Sequence, residues 1–193
     1  PAIPAWAFSA MPMPAIPARL SSPGQITFAF PSHRRRATDL SFMNKIIECV
    51  PNFSEGRDLE VIRQITAAIE SVDGVSLLNV DPGASTNRTV VTFAGAPDAA
   101  VEAAFRGIQK AAELIDMRKH TGAHPRMGAT DVCPFIPVSN VSWEEAIGCA
   151  KKLGQRVGEG LKIPVYLYEK AATDSARSNL SIIRAGEYEG FFE

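Results

Sequence analysis

The chain has 193 residues, enough for one domain, and 46% of them are hydrophobic, which suffices for a core. The net charge of −1 argues against nucleic acid or an anionic membrane as a partner, and no apolar run reaches the roughly 18 residues of a membrane span. Three widely spaced cysteines, Cys49, Cys133 and Cys149, fit neither a disulfide framework nor a CxxC metal motif, so we expect reduced, buried thiols in a cytoplasmic protein.

Residues 1–42 differ in composition from the rest of the chain. Half of the fourteen prolines lie between Pro1 and Pro31, and no acidic residue precedes Asp39. Such a segment buries too little apolar surface to offset its ordering entropy, so we expect disorder over residues 1–42. The composition fits a transit peptide loosely. We favour Met43 as the biological start, with a translated leader or extension before it.

The folded part, residues 43–193, begins with a predicted strand over residues 45–50 that ends at Pro51. Apolar residues then recur at helical spacing after Asp58, a predicted N-cap, and the helix is expected to stop at Asp73 and Gly74. A strand over residues 75–80, aliphatic throughout, is expected to be buried. The loop of residues 81–87 leads to a further strand over 88–93, where we interpret Asn87 and Arg88 as turn and strand entry.

The second half continues the alternation of helices and strands. Pro97 opens a long predicted helix that reaches Ile115. Residues 131–138 are apolar but contain two prolines, which indicates an edge strand or a kinked one. Ser142 and Glu145 form a predicted capping box for a helix over 143–157, and residues 163–168 form a last strand.

The first six predicted elements follow the order β-α-β-β-α-β, which is typical of a ferredoxin-like split βαβ unit. We therefore expect an α+β, two-layer fold in which a mixed sheet has helices on one face. The other face needs a partner, because nothing later in the chain is expected to cover it.

Two of the three histidines, His120 and His124, lie in one short segment. Gly122 and Pro125 disfavour a helix there, so both imidazoles are expected on a loop. A group that titrates near neutral pH among neighbouring basic side chains suits acid/base chemistry on an anionic substrate. From spacing alone, a surface loop whose two histidines have no catalytic or binding role is an equally good interpretation.

Two other kinds of site are disfavoured by the same segment. A zinc pair is disfavoured because the loop is not helical, no Glu follows His120 and no third ligand is evident. Cys133 as a nucleophile is disfavoured because it lies inside an apolar strand, where we expect an inert thiol.

Five short strings resemble a known family: ECVPNFSEG at residues 48–56, NVD at 79–81, STNRT at 85–89, HTGAHPRMGATDVCPFIP at 120–137 and IRAGEYE at 183–189. In order and spacing they resemble the N-terminal subdomain of glutamate formimidoyltransferase (formiminotransferase), over about residues 43–193. The resemblance implies transfer of a formimino group from N-formimino-L-glutamate to tetrahydrofolate, in histidine degradation. It also implies a second subdomain, further along such proteins, which carries the glycine-rich folate-contacting stretch.

The resemblance implies roles for particular residues. His124, in the HPRMG string, corresponds to the catalytic histidine, and Asp81, at a strand end, to an aspartate that works beside it. Arg126 suits a substrate carboxylate, which a guanidinium binds bidentately. His120 and Asn52 are weaker candidates for substrate contact.

The implied partners are small molecules and another copy of the same fold. Tetrahydrofolate enters as acceptor substrate, and no metal, nucleic acid or membrane is expected. The C-terminal formiminotransferase subdomain, or self-association, would cover the open sheet face, and a homo-oligomer is expected. Because this chain stops before the folate-contacting stretch, we expect a fragment of an enzyme. A non-catalytic half-domain that binds folate or a partner remains the alternative.

Overall fold

The computed structural model describes residues 6–8 and 45–192. Within these residues the α-helices are α1 (Leu59–Glu70), α2 (Pro97–Leu114), α3 (Trp143–Leu161) and α4 (Leu180–Ile183). The strands are β1 (Trp6–Phe8), β2 (Ile46–Cys49), β3 (Asn52–Phe53), β4 (Val75–Gly83), β5 (Arg88–Gly95), β6 (Thr130–Val132), β7 (Phe135–Ser139) and β8 (Val165–Leu167). Short 3-10 turns lie at Met117–Lys119, Glu169–Ala171, Ser175–Arg177 and Glu189–Phe191. The α+β class is confirmed.

The described strands form one sheet in the order β7-β2-β5-β3-β6-β1-β8, with β4 on β5. We expected a mixed sheet, but every pair among β2 to β7 is antiparallel. The reason is that β5 lies between β2 and β4, so strands that run the same way never become neighbours. The parallel pairs are those of β1, with β6 and β8.

Helices α1, α2 and α3 pack side by side on one face of the sheet. On β5 the residues that face the helices, Val91 and Phe93, have no exposed area, whereas the alternate residues Val90 and Thr92 are half-buried. Leu78 of β4 is 60% exposed. One face of the sheet therefore carries the core, and the opposite face is open at Leu78. The expectation that nothing later in the chain covers this face is wrong in part, because Tyr168, Leu180 and Ile183 pack against Val132 of β6.

Local signals place the starts of α1 and α3 as predicted, whereas α3 continues to Leu161, beyond the predicted end at residue 157. The Asp58 carboxylate accepts hydrogen bonds from the backbone N–H groups of Glu60 and Val61, at 2.9 and 3.2 Å. Ser142 and Glu145 form both bonds of the capping box. These contacts satisfy N–H groups that the first turn of a helix leaves without partners.

Three predictions about strands differ from the structure. The strand expected over residues 131–138 is divided into β6 and β7 at Cys133 and Pro134, where proline removes a donor. The strand expected to be buried over residues 75–80 extends to Gly83 and alternates between half-buried and exposed positions, because one sheet face is open. Within the segment expected to be disordered, residues 6–8 form β1; the rest of that prediction lies outside the described residues.

The three cysteines are free and buried, as expected, and Cys49 Sγ lies 3.5 Å from Cys133 Sγ. Burial raises the pKa of the Cys49 thiol well above its usual range, which keeps it protonated and unreactive. Among the helices of the described chain, none is both long and apolar enough to span a bilayer.

Candidate active site

The histidine loop is held in place by Asn87, in the turn between β4 and β5. After the 3-10 turn Met117–Lys119, the chain follows an irregular path through residues 120–129, in agreement with the prediction of a loop. The Asn87 carboxamide donates to the Thr121 carbonyl and accepts from the Gly56 N–H, both at 3.0 Å. Its backbone φ of 48° lies in the left-handed region, which Asn tolerates better than most residues. Asn87 therefore joins three segments that are distant in sequence.

Gly122 allows the loop to approach this turn closely. A Cβ atom at position 122 would overlap the backbone carbonyl of Thr86. A backbone-to-backbone approach of this kind requires glycine. The position of the histidine loop against the β4–β5 turn thus depends on Asn87 for hydrogen bonds and on Gly122 for space.

The contacts of His124 define its tautomer. Its Nδ1 lies 2.5 Å from the carbonyl oxygen of Pro125, which can only accept a hydrogen bond, so Nδ1 carries the proton. Its Nε2 contacts Nη1 of Arg88, which can only donate, so Nε2 presents its lone pair. In these contacts Nε2 is the ring nitrogen able to accept a proton.

Arg88 belongs to a buried charged cluster, which we define as Arg88, Asp131 and Arg184. Asp131 has no exposed side-chain area; its Oδ2 pairs with Arg184 and lies 3.6 Å from Nη2 of Arg88, and its Oδ1 accepts from the Met127 N–H at 3.2 Å. Burial lowers the pKa of Arg88, Asp131 raises it, and Arg184 lowers it again. The two guanidiniums are thus close enough to repel each other.

Tyr168 lies beside this cluster and is fully buried. Burial raises the pKa of its phenol far above the usual value, so the hydroxyl stays protonated. Within the described residues its hydroxyl has no hydrogen-bond partner, and neither does Nε of Arg88 or of Arg184. Unpaired buried donors are uncommon in proteins and are more frequent at functional sites.

His120 and Arg126, both predicted to contact substrate, are already engaged by the protein. Nδ1 of His120 accepts from Nε of Arg126 at 3.3 Å, and its Nε2 donates to the Asn87 carbonyl at 2.9 Å. The Arg126 guanidinium also binds Glu187 at 2.6 Å and Glu189 at 2.8 Å. His120 therefore positions the loop, and Arg126 holds two carboxylates of its own chain.

Asp81 and Asn52 lie on the same side of the sheet as Arg88. Both pair with Val90, from opposite sides, so their side chains point to one face, and Arg88 is two residues along the same strand. Asn52 is 7% exposed and its amide donates to the Val50 carbonyl at 2.9 Å. Asp81 is exposed, and in the described part of the chain no hydrogen bond or ion pair joins it to His124.

A cavity of about 410 Å³ lies beside this cluster, on the segment that follows β8. Met127, Tyr166, Arg177, Ile183 and Phe191 are among the residues that line it. Glu187, which holds Arg126, lines it too. Over residues 6–8 and 45–192, no group of three His, Cys, Asp or Glu side chains is placed to bind a metal ion.

Sequence reasoning missed several residues of this site, namely Asn87, Arg88, Asp131, Tyr168, Arg184, Glu187 and Glu189. Asn87 and Arg88 were interpreted only as turn and strand entry. All but Tyr168 lie inside the strings that carry the family resemblance, so a signal was present. The strings contained these residues but did not show which of them are in contact in the folded chain.

Comparisons with known proteins show the family of this chain. A family model described as the formiminotransferase domain, N-terminal subdomain, matches residues 46–193. A formimidoyltransferase-cyclodeaminase of Dictyostelium discoideum is 56% identical over 151 residues, which cover 78% of this chain and 28% of that protein. The protein of the same name in Gallus gallus is 58% identical over 147 residues, covering 76% of this chain and 27% of that protein.

A shorter relative gives a similar match. A glutamate formimidoyltransferase of Streptococcus pyogenes serotype M1 is 46% identical over 151 residues, covering 78% of this chain and 50% of that protein. The chain thus spans between about a quarter and a half of the length of these relatives. From the matched family and these identities, the chain belongs to the formiminotransferase family, in which residues 46–193 form the N-terminal subdomain.

Proposed function

We propose that this chain supplies the His124-bearing half of a glutamate formimidoyltransferase. The enzyme would move the formimino group of N-formimino-L-glutamate onto tetrahydrofolate. The observation that carries the proposal is the His124 ring itself, whose Nδ1 proton is bound by Pro125 and whose Nε2 lone pair faces Arg88. A neutral imidazole held in one tautomer is what a general base requires.

In this reaction a nitrogen of tetrahydrofolate attacks the formimino carbon. A new C–N bond forms, giving a tetrahedral adduct, and the old C–N bond to glutamate breaks. The attacking nitrogen must lose a proton and the leaving nitrogen must gain one. His124 Nε2 would accept the first proton and return it to the second nitrogen, a role worth typically 10²–10⁴-fold in rate. The amine would take the place of Arg88 at Nε2.

The other predicted site residues enter as proposed substrate contacts. Asp81 would hold the cationic formimino group, a role favoured by its exposure on the sheet face that Arg88 shares. Asn52 would act through its carboxamide oxygen, because its amide is bound to Val50. Arg126 would bind a substrate carboxylate in place of Glu189, whose side chain is 61% exposed, with His120 orienting it.

We also propose that residues 46–139 form a ferredoxin-like unit and that its open face meets a second subdomain. The antiparallel order β7-β2-β5-β4 supports the first point. Exposed Leu78 and Val138 on the sheet support the second, since apolar side chains on an open sheet face favour a partner. The partner would be the C-terminal formiminotransferase subdomain or a second copy, in a homo-oligomer.

The test is to let residues 43–193 replace the matching half of the Streptococcus pyogenes protein, whose length this chain covers to 50%. We expect the chimera to transfer the formimino group to tetrahydrofolate at a rate within about tenfold of the unaltered protein. The alternative, a half-domain that only binds folate or a partner, predicts a folded chimera that binds tetrahydrofolate and transfers nothing.

A further inference from the structure

Two arginines of the buried cluster share a single carboxylate. Oδ2 of Asp131 serves both Arg88 and Arg184, while its Oδ1 is used by the backbone of Met127. Arg126, by contrast, has two carboxylates, from Glu187 and Glu189. Among the described residues the cluster of Arg88, Asp131 and Arg184 therefore carries a net charge of +1, whereas Arg126 with its two carboxylates carries −1.

The same two arginines have buried side-chain N–H groups that no described residue accepts from. Nε of Arg88 and Nε of Arg184 are buried without a hydrogen-bond partner in the described residues, as is the Tyr168 hydroxyl. A buried donor without an acceptor is costly, because it has lost its hydrogen bond to water and gained none in the protein. An anion with two acceptor oxygens would relieve this cost and the repulsion between the guanidiniums, which after burial contributes to the lowered pKa of Arg88.

The pair can be reached from solvent and lies beside the base. The side chains are 16% exposed for Arg88 and 20% for Arg184, whereas Asp131 is not exposed at all. Arg88 also contacts Nε2 of His124. An anion bound between the two guanidiniums would therefore lie next to the nitrogen that accepts a proton.

We propose that Arg88 and Arg184 bind a substrate carboxylate, with Asp131 as their buried counter-ion, at a site separate from Arg126. This inference rests on the proposed function for the identity of the ligand. Two substrates supply that chemistry, the glutamate portion of the donor and the glutamate tail of the folate. The structure thus assigns Arg184, in the segment after β8, to specificity for a carboxylate.

The test is calorimetric titration of the 193-residue chain with L-glutamate and, separately, with p-aminobenzoyl-L-glutamate. We expect saturable binding with Kd on the order of 1 mM. Arg184→Gln should weaken it by about tenfold or more, the effect of losing one charge-assisted contact. Arg184→Lys, which keeps the charge but loses the planar fork, should weaken it severalfold. Arg63→Gln, on an exposed arginine paired with Glu60, removes the same charge and should change nothing.

The two probes separate the two sources. Weaker binding of L-glutamate in the variants assigns the site to the donor, and weaker binding of p-aminobenzoyl-L-glutamate alone assigns it to the folate tail. Unchanged affinity for both probes, in whichever Arg184 variant keeps a cooperative thermal transition, overturns the proposal. Absence of saturable binding by the unaltered chain overturns it as well. Carboxylate binding in a chimera that transfers nothing would remove the proposed function and leave this site.

Discussion

The Arg88 guanidinium contacts Nε2 of His124, across 36 residues of sequence, and this contact selects the nitrogen that can accept a proton. Because an arginine can only donate, Nε2 must be unprotonated, and the Pro125 carbonyl takes the proton of Nδ1. The residue that keeps Nε2 of His124 able to accept a proton is therefore not in the histidine loop. It lies at the start of β5.

Arg88→Met should let the His124 ring change its tautomer. The variant keeps an unbranched side chain but removes the donor at Nε2, so the Nε2-protonated tautomer becomes accessible. ¹⁵N NMR of the ring nitrogens should show protonation mainly at Nδ1 in the unaltered chain and a mixture in the variant. A ring protonated mainly at Nε2 before substitution would contradict the assignment.

Asn87→Ala should destabilise the domain by roughly 2–4 kcal/mol. The change leaves the Gly56 N–H and the Thr121 carbonyl without their partner, and it places alanine at a φ of 48°. Asn87→Gly tolerates that φ and loses only the side-chain bonds, so it should cost less. Urea unfolding measures both. Equal losses would mean that backbone conformation at this position does not contribute.

Gly122→Ala should impair the site more than it impairs folding. A Cβ here overlaps the Thr86 carbonyl, so the loop must move away from the turn and carry His124 with it. Gly148→Ala, in α3 where no atom lies within 4 Å of a new Cβ, is the matched control and should stabilise by about 0.5–1 kcal/mol. Formimino transfer by the chimera should fall only in the first variant.

Part of this architecture could be predicted because its signals are local. Asp58 and the Ser142–Glu145 pair cap their helices through contacts three residues away or fewer. Prolines indicated the interruption of the strand that became β6 and β7. The contacts of Arg88 with His124 and of Asp131 with Arg184 join residues 36 and 53 positions apart, and no periodicity reports such pairs. They depend on how the histidine loop and the segment after β8 pack against β5 and β6.

The helical layer should lose stability in acid through Glu102. This carboxylate of α2 binds Arg156 of α3 and Arg106 of the same helix, and these bonds lower its pKa from the usual value. Because folding lowers the pKa of Glu102, its ionised carboxylate stabilises the fold at pH values above its pKa in the unfolded chain. This stability is lost as the pH falls through its pKa in the folded chain. Because the group is partly exposed, we expect about 0.5–1 kcal/mol.

Glu102→Gln should remove this contribution at neutral pH and flatten the fall in unfolding free energy between roughly pH 5 and pH 3. Glu159→Gln, in α3 and hydrogen-bonded only to Gln155 at 3.0 Å among the described residues, is the control. Urea unfolding across this pH range measures both variants. Parallel pH curves for the unaltered chain and Glu102→Gln would contradict the ion-pair account.

The most direct test of the whole account is the turnover of His124→Ala in the chimera, with and without free imidazole. If His124 Nε2 carries the proton between the two nitrogens, kcat should fall by about 10²–10⁴-fold and added imidazole should restore part of it. His120→Ala, which removes the neighbouring imidazole, should not respond to imidazole, because that ring positions the loop and Arg126 and carries no proton in the reaction. A kcat for His124→Ala within about threefold of the unaltered chimera would contradict the central claim.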